Sequence, residues 1–103
     1  MHIEILEEAQ EDILRATLFY ESQRFGAGDY FLDAISADIE SLHLFAGIHP
    51  IRYGYLVLFS KRFPYTVYYR MERDRIRVYA VLDERQNPKS IDKRLDSETT
   101  RDL

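Results

Sequence analysis

The residues with usable chemistry gather in the second half of the chain, along Lys61 to Pro88, KRFPYTVYYRMERDRIRVYAVLDERQNP. Lys61 and Arg62 stand together before a Phe63-Pro64-Tyr65 corner and could contact a phosphate, although a Lys-Arg pair at a strand end is more often just solvated. Asp83 and Glu84 lie beside Arg85, which reads as a solvated ion-pair cluster more than as an acid–base dyad. His2, His43 and His49 are scattered without metal-ligand spacing and read as surface or loop histidines, so no metal is expected. There is no Gly-rich phosphate loop and no Ser/His/Asp arrangement, and no cofactor is expected. Cysteine is absent, which removes disulfide and thiol chemistry and makes a reducing cytoplasm the natural compartment.

With 103 residues the chain has length for one small core and none to spare for a second. Its 46% hydrophobic and 14% aromatic content belongs to a folded globular protein rather than a disordered one. The start, MHIEILEEAQED, is acidic and lacks the basic and apolar regions of a signal peptide. No apolar run approaches the ~18 residues that span a membrane, so a cytoplasmic protein is expected. The net charge of −4 argues against a nonspecific nucleic-acid binder. That charge is unevenly spread, at −8 over residues 1–50 and +4 over residues 51–103. An acidic helical side and a more basic strand side follow.

Around these residues the hydrophobic pattern sets out the elements. His2 to Leu6 alternates and predicts a first strand. From Glu8 to Arg24, Ala9, Ile13, Ala16 and Tyr20 form a helical stripe, with Glu7, Glu8, Glu11 and Asp12 at the end where the helix dipole favours negative charge. Gly26 and Gly28 break that helix. A second is expected from Asp29 to Phe45 on Phe31, Ile35, Ile39 and Leu42, antiparallel to the first because the connection is short. Ala46 to Gly54 reads as a loop. The period then switches to two, with strands at Tyr55 to Lys61, Tyr65 to Met71 and Arg75 to Asp83, the last two joined by Glu72-Arg73-Asp74. Pro64 stands at the start of its strand, where a missing N–H does least harm. Lys89 to Leu95 could form one helical turn, and 96–103 reads as a frayed tail after a single domain over 1–95. The fold class is α+β: a two-layer β-α-α-β-β-β arrangement with a helical hairpin on one face of a largely antiparallel sheet.

Helices on one face leave the other open. If Ile76, Val78, Ala80 and Leu82 face the core, so do Tyr65, Val67 and Tyr69, with Leu56 and Leu58 beside them. The open face then carries Val57, Phe59, Lys61, Thr66, Tyr68, Arg70, Arg77, Tyr79 and Val81. So mixed an aromatic, aliphatic and basic patch calls for a partner, or for a second copy in a homodimer.

The β-α-α-β-β-β order resembles the RelE/ParE superfamily, toxins of bacterial type II toxin–antitoxin pairs. So do Ala9-Gln10-Glu11-Asp12-Ile13, the FYESQRFGAGDYF run from Phe19 to Phe31, and FPYTVYYRM…IRVYAVLDERQNP. The resemblance covers about residues 2 to 95. It implies a small cytosolic protein that blocks growth unless a labile antitoxin, encoded beside it, is bound.

Within that superfamily one branch cuts messenger RNA in the ribosomal A site, and the ParE branch is associated with poisoning DNA gyrase. Metal-free RNA cleavage needs cations to steady the phosphorane charge and groups to move protons. At the positions where the ribonucleases carry lysines this chain has Val57 and Phe59. Thr66 replaces an arginine, no tyrosine follows Tyr79, and Arg85 alone survives. Asp83 also departs from the His or aromatic residue of many relatives, which suggests an attenuated or retargeted toxin. The resemblance is therefore closer to the ParE branch, a toxin acting by protein–protein contact, with gyrase the favoured target. The cognate antitoxin would supply a helix or strand to the open face, with Val57, Phe59, Lys61, Tyr68, Arg70, Arg77, Tyr79, Val81 and Arg85 as binding residues. The alternatives are a ribosome-dependent ribonuclease using Lys61, Arg62, Arg77, Tyr79 and Arg85, and a non-toxic relative that still binds an antitoxin.

Overall fold

A computed structural model describes the backbone of residues 1–102 and the side chains of residues 1–98. The chain opens with β1 (His2–Ile5), followed by α1 (Glu7–Gln23) and α2 (Ala27–Glu40). Glu7 and Glu8 occupy the first turn of α1, and the helix ends at Arg24, which is extended, before Gly26 at φ 85°. Glu21 then reaches forward: its carboxylate accepts the backbone N–H groups of Gly26 (3.1 Å) and Gly28 (2.9 Å), covering orphan donors at the start of α2. A Cβ at Gly28 would come within 2.8 Å of the Thr17 carbonyl oxygen, so this glycine is what lets the two helices approach so closely.

The expected second helix divides. α2 stops at Glu40 and a single turn, α3 (Leu42–Phe45), follows Ser41, whose hydroxyl bonds back to the Asp38 carbonyl at 2.6 Å. The expected loop contains a two-residue edge strand, β2 (Ile51–Arg52), joined to β3 (Tyr55–Phe59) through Tyr53 and Gly54. Both have positive φ, as a two-residue hairpin of matching twist requires. β4 (Tyr65–Glu72) and β5 (Arg75–Asp83) complete a sheet ordered β1-β5-β4-β3-β2, antiparallel except where β1 runs parallel to β5. The fold is thus the expected α+β arrangement, a helical hairpin on one face of a largely antiparallel sheet.

Two features overturn the expected assignment of faces. First, β5 carries one extra residue. Tyr68 pairs with Ala80 but Tyr69 pairs with Val78, so Tyr79 is bulged. Ile76 and Val78 point at the helical hairpin as expected, but past the bulge Val81 joins them, while Ala80 and Leu82 turn to the other face. Period-two alternation cannot reveal a residue inserted between two apolar neighbours.

Second, the other face is not left open. After Pro88 the chain forms α4 (Pro88–Asp102), longer than the single turn expected and extending into the segment read as a frayed tail. Leu103 lies outside the described residues. Ile91 and Leu95 of α4 are buried on a second cluster of Tyr55, Val57, Tyr68, Tyr79, Ala80 and Leu82. The first cluster, beneath α1 and α2, combines Ala9, Ala16, Phe31, Ile35 and Ile39 with Tyr65, Val67, Tyr69, Ile76, Val78 and Val81.

Asp12 fastens these layers together. β1 hands over to α1 after Leu6, whose N–H bonds the Val78 carbonyl, so the outer edge of β5 has no strand partner beyond that point. There the buried Asp12 carboxylate accepts the Val81 N–H at 3.0 Å. The same carboxylate receives both Nη atoms of Arg94 from α4, at 2.7 and 2.8 Å, and Arg15 at 3.0 Å. Arg94 Nε donates to the buried Glu98 at 3.0 Å. Burial by itself would lower the pKa of the Arg94 guanidinium, but its bonds to Asp12 and Glu98 outweigh that and raise it. One side chain of α1 therefore holds a strand edge and, around that edge, a helix of the opposite layer.

Removing Asp12 takes the acceptor from both Nη atoms of Arg94 and from the Val81 N–H together. Asp12→Ala is expected to cost about 3–5 kcal/mol in urea unfolding. Arg94→Ala is expected to lower helical ellipticity and to speed amide exchange in α4 while leaving β4 and β5 protected. A loss under about 1 kcal/mol for Asp12→Ala would refute the role assigned to this carboxylate.

Candidate functional site

On the α4 side of the sheet, the end next to the β4–β5 turn holds a row of polar and aromatic side chains. The register places one residue from each strand in line. Arg52 (β2) pairs with Tyr55 (β3), the Arg70 guanidinium (β4) lies 4.0 Å from the Tyr55 ring centre, Arg70 pairs with Arg77 (β5), and Arg77 pairs with Glu4 (β1). Such a row crosses the strands at about 4.8 Å per step.

Its members are held in place by contacts of several kinds. Arg70 lies across the Tyr55 and Tyr79 rings, which themselves meet edge to face, and its Nε donates to the Gly54 carbonyl at 3.2 Å. Arg52 stacks over Phe59, with 5.0 Å to the ring centre. Arg77 donates to Glu72 at 3.0 Å and lies 3.4 Å from Glu4, which also pairs with Arg75. The Tyr79 hydroxyl donates to the other oxygen of Glu72. Burial alone would raise the Glu72 pKa, but the bonds from Tyr79 and Arg77 hold it below the ordinary carboxylate value. Glu72 in turn raises the Arg77 pKa, chiefly through its hydrogen bond. The Nε of Arg77 is buried and faces the Glu4 carboxylate at 3.4 Å, with no hydrogen-bonded acceptor among the described residues.

The expected binding residues therefore separate. Phe59, Arg70 and Arg77 line the face beside α4, half-buried or exposed. Val57, Tyr68 and Tyr79 lie on that face too but are buried in the second core, and Val81 faces the opposite core because of the bulge. Thr66, also placed on the open face by alternation, is fully buried.

The residues proposed for RNA cleavage do not converge. Lys61 and Arg62 lie in the exposed β3–β4 connection, beside a cleft of about 260 Å³ that they share with Asp33, Ala34, Ala37, Asp38 and Ser41. Arg62 lies over the Tyr30 ring at 5.7 Å. Arg85 follows the end of β5 and folds back onto Asp83, donating through Nε at 3.0 Å and Nη2 at 2.7 Å. This pair is the cause of the lowered Asp83 pKa and the raised Arg85 pKa. Arg77 stands near the other end of β5, about 20 Å from Asp83 along the strand. Tyr79 lies between them, fully buried, with its hydroxyl committed to Glu72. Among the described residues no group of three or more His, Asp or Glu could hold a metal ion, and no helix is long and apolar enough to cross a membrane.

Sequence reasoning missed Asp12 and Arg94. The signal for Asp12 was present: it lies beside Ile13, between Ala9 and Ala16, where its spacing from both puts a carboxylate on the buried stripe. It also missed the role of His49. The buried Tyr69 hydroxyl accepts the Gly47 N–H at 3.0 Å and contacts His49 Nδ1, fastening the loop after α3 to β4.

The chain belongs to the family of ParE toxins of type II toxin–antitoxin systems (parDE), whose family model matches residues 3–88. Its fold is similar to that of a solved chain from the chromosomal ParDE toxin–antitoxin system of P. aeruginosa. The two are 16% identical with a TM-score of 0.66, over 79% of this chain and 92% of that one. No curated protein matches the chain significantly. The family match ends at the residue where α4 begins.

His49 supplies a pH dependence with a definite sign. Burial lowers its pKa from the ordinary 6.5, so on acidification the unfolded chain takes up this proton before the folded one does. Its contribution to stability should fall as pH drops from about 6.5 toward the lower folded-state value. In paired urea titrations from pH 7.5 to 5, His49→Gln is expected to flatten that dependence. An unchanged slope would remove His49 as its source.

Proposed function

We propose that this protein is the toxin of a type II toxin–antitoxin pair, arresting growth by binding a cellular target, with DNA gyrase favoured, and neutralised by an antitoxin encoded beside it. The observation that carries this reading is the match to the ParE toxin family over most of the chain. The similar fold of a chain from a ParDE toxin–antitoxin system supports an antitoxin as the partner. The distribution of the candidate cleavage residues favours protein contact over RNA chemistry. Lys61, Arg62 and Arg85 stand toward one end of the sheet, Arg77 stands at the other, and the Tyr79 hydroxyl is committed to Glu72. General acid–base work requires a group within hydrogen-bond reach of the reacting oxygen, and a residue sealed under α4 and Arg70 does not offer one.

Inducible expression without the neighbouring gene tests the proposal. Growth arrest with filamentation and gyrase-linked DNA breaks is expected, and co-expression of the adjacent open reading frame is expected to relieve it. Normal growth at verified expression would favour a non-toxic relative that retains antitoxin binding. Cuts in the ribosomal A site, read by primer extension and lost in Arg85→Ala, would replace the proposal with a ribonuclease.

A further inference from the structure

The sheet ends in two outer strands, β1 and β2, and their edges are guarded differently. Glu4 on β1, paired with Arg75 and Arg77, puts charge along the first edge. The second has no such guard. From Ser41 to Ile51 the chain carries no Asp, Glu, Lys or Arg, its longest uncharged run in a sequence that is 31% charged. Within that run Leu44 (82%), Phe45 (50%), Ile48 (74%) and Ile51 (71%) are exposed. The Ile48 N–H bonds the Phe45 carbonyl and Gly47 sits against the exposed Met71, which gathers the run into one apolar corner leading to β2. The backbone of β2 is open too. The Val57 N–H bonds the Pro50 carbonyl at 2.9 Å, making 50 and 57 a hydrogen-bonded pair. Ile51, opposite Leu56, is therefore the non-bonded position, and its N–H and C=O point away from β3 to the outer edge. Pro50 does not block that edge, because its missing N–H lies on the β3 side.

We propose that a second copy of this chain docks at this corner, β2 against β2 in antiparallel pairing about a two-fold axis at Ile51. Each Ile51 N–H donates to the Ile51 carbonyl of the other copy, and the two five-stranded sheets join edge to edge. Symmetry and charge select this occupant. At a two-fold axis each side chain meets its own counterpart, so a charged residue there faces its like, and an uncharged run is what such an axis requires. A charged partner finds no ion in this run to pair with. Arg52 is the nearest cation. In this register its counterpart lies diagonally, roughly 8 Å away, and each guanidinium stays over its own Phe59. Leu44, Phe45, Ile48, Ile51 and Met71 expose on the order of 600 Å² per copy, short of the ~800 Å² per partner of a standard interface. One residue per edge supplies backbone groups, so the dimer is a weak one, with a Kd on the order of 10–100 µM. It uses neither the arginine row nor α4, and it does not depend on the toxin reading.

Sedimentation velocity on the full chain at about 5 to 300 µM tests this, and the 12.3 kDa monomer is expected to move toward twice that mass. Both copies carry −4, so raising salt from about 0.05 to 0.3 M should strengthen the association, the reverse of what a charge-paired partner shows. Ile51→Lys, at an exposed position, is expected to weaken it about tenfold or more while leaving the far-ultraviolet circular dichroism unchanged. The chain has no native cysteine, so a single Ile51→Cys substitution can cross-link only to its own copy. Under mild oxidation it should do so at least about tenfold faster than Leu18→Cys, comparably exposed on α1, because paired Cα atoms about 5.5 Å apart suit a disulfide. A monomer at every concentration, a dimer indifferent to Ile51→Lys, or equal cross-linking of the two cysteine variants would each overturn the proposal. So would an Ile51 amide resonance that shifts only when the product of the adjacent gene is added, which would assign the edge to that protein.

Discussion

One carboxylate, that of Asp12, adds a polar tie between three parts of the chain, α1, the edge of β5 and α4, that lie in two different layers. It projects from α1 over the edge of β5, where β1 has already turned away, and accepts the Val81 N–H that β1 no longer covers. It then receives the fork of Arg94 from the helix on the far side of the sheet. A bare β-strand edge is a hazard, and an unpaired charge under a helix is costly. Here each supplies what the other lacks, with Glu98 completing the guanidinium. The placement of α4, and so which part of the second sheet face is covered, depends on this contact.

The bulge at Tyr79 is the second constraint, and it acts just before the Asp12 contact. By inserting a residue between Val78 and Ala80, β5 gives Ile76, Val78 and Val81 to the helical hairpin and Tyr79, Ala80 and Leu82 to α4. A strand with strict alternation could serve both layers too, but with different residues. The bulge allows Tyr79 to bring its hydroxyl to Glu72 while its ring supports Arg70. The two halves of the face are thus built from one strand: apolar beneath Ile91 and Leu95 of α4, and arginine on tyrosine toward the β4–β5 turn.

This division bears on function. A metal-free nuclease needs cations and proton carriers around a single phosphate, whereas a partner surface needs charge and aromatic area spread over several strands. Arg52, Arg70 and Arg77 span the sheet from edge to β5, each steadied by an aromatic ring or a carboxylate, while Arg85 is held by its own neighbour Asp83.

Much was legible from local pattern, because local pattern follows from periodicity. The stripe of Ala9, Ile13 and Ala16, the glycines at 26 and 28, and the two-residue period from Tyr55 onward specify helix, break and strand without reference to the rest of the chain. Their order is enough for the α+β class, and the quoted motifs pointed to the family. The split of the second helix at Ser41, the two-residue strand at Ile51 and the bulge at Tyr79 were not legible, since each arises where backbone hydrogen bonds are settled between segments distant in sequence. The length of α4 was hidden as well. Its sequence is mostly polar, and it is helical because Ile91 and Leu95 find an apolar floor and Arg94 finds Asp12, 82 residues away. The sequence by itself determined the first strand, the helical hairpin and the three long strands, their order, and the basic, aromatic character of the later strands. Only the tertiary structure decided which of those residues stay at the surface and which are sealed in a core, because exposure is a property of what packs over a side chain and not of the side chain itself.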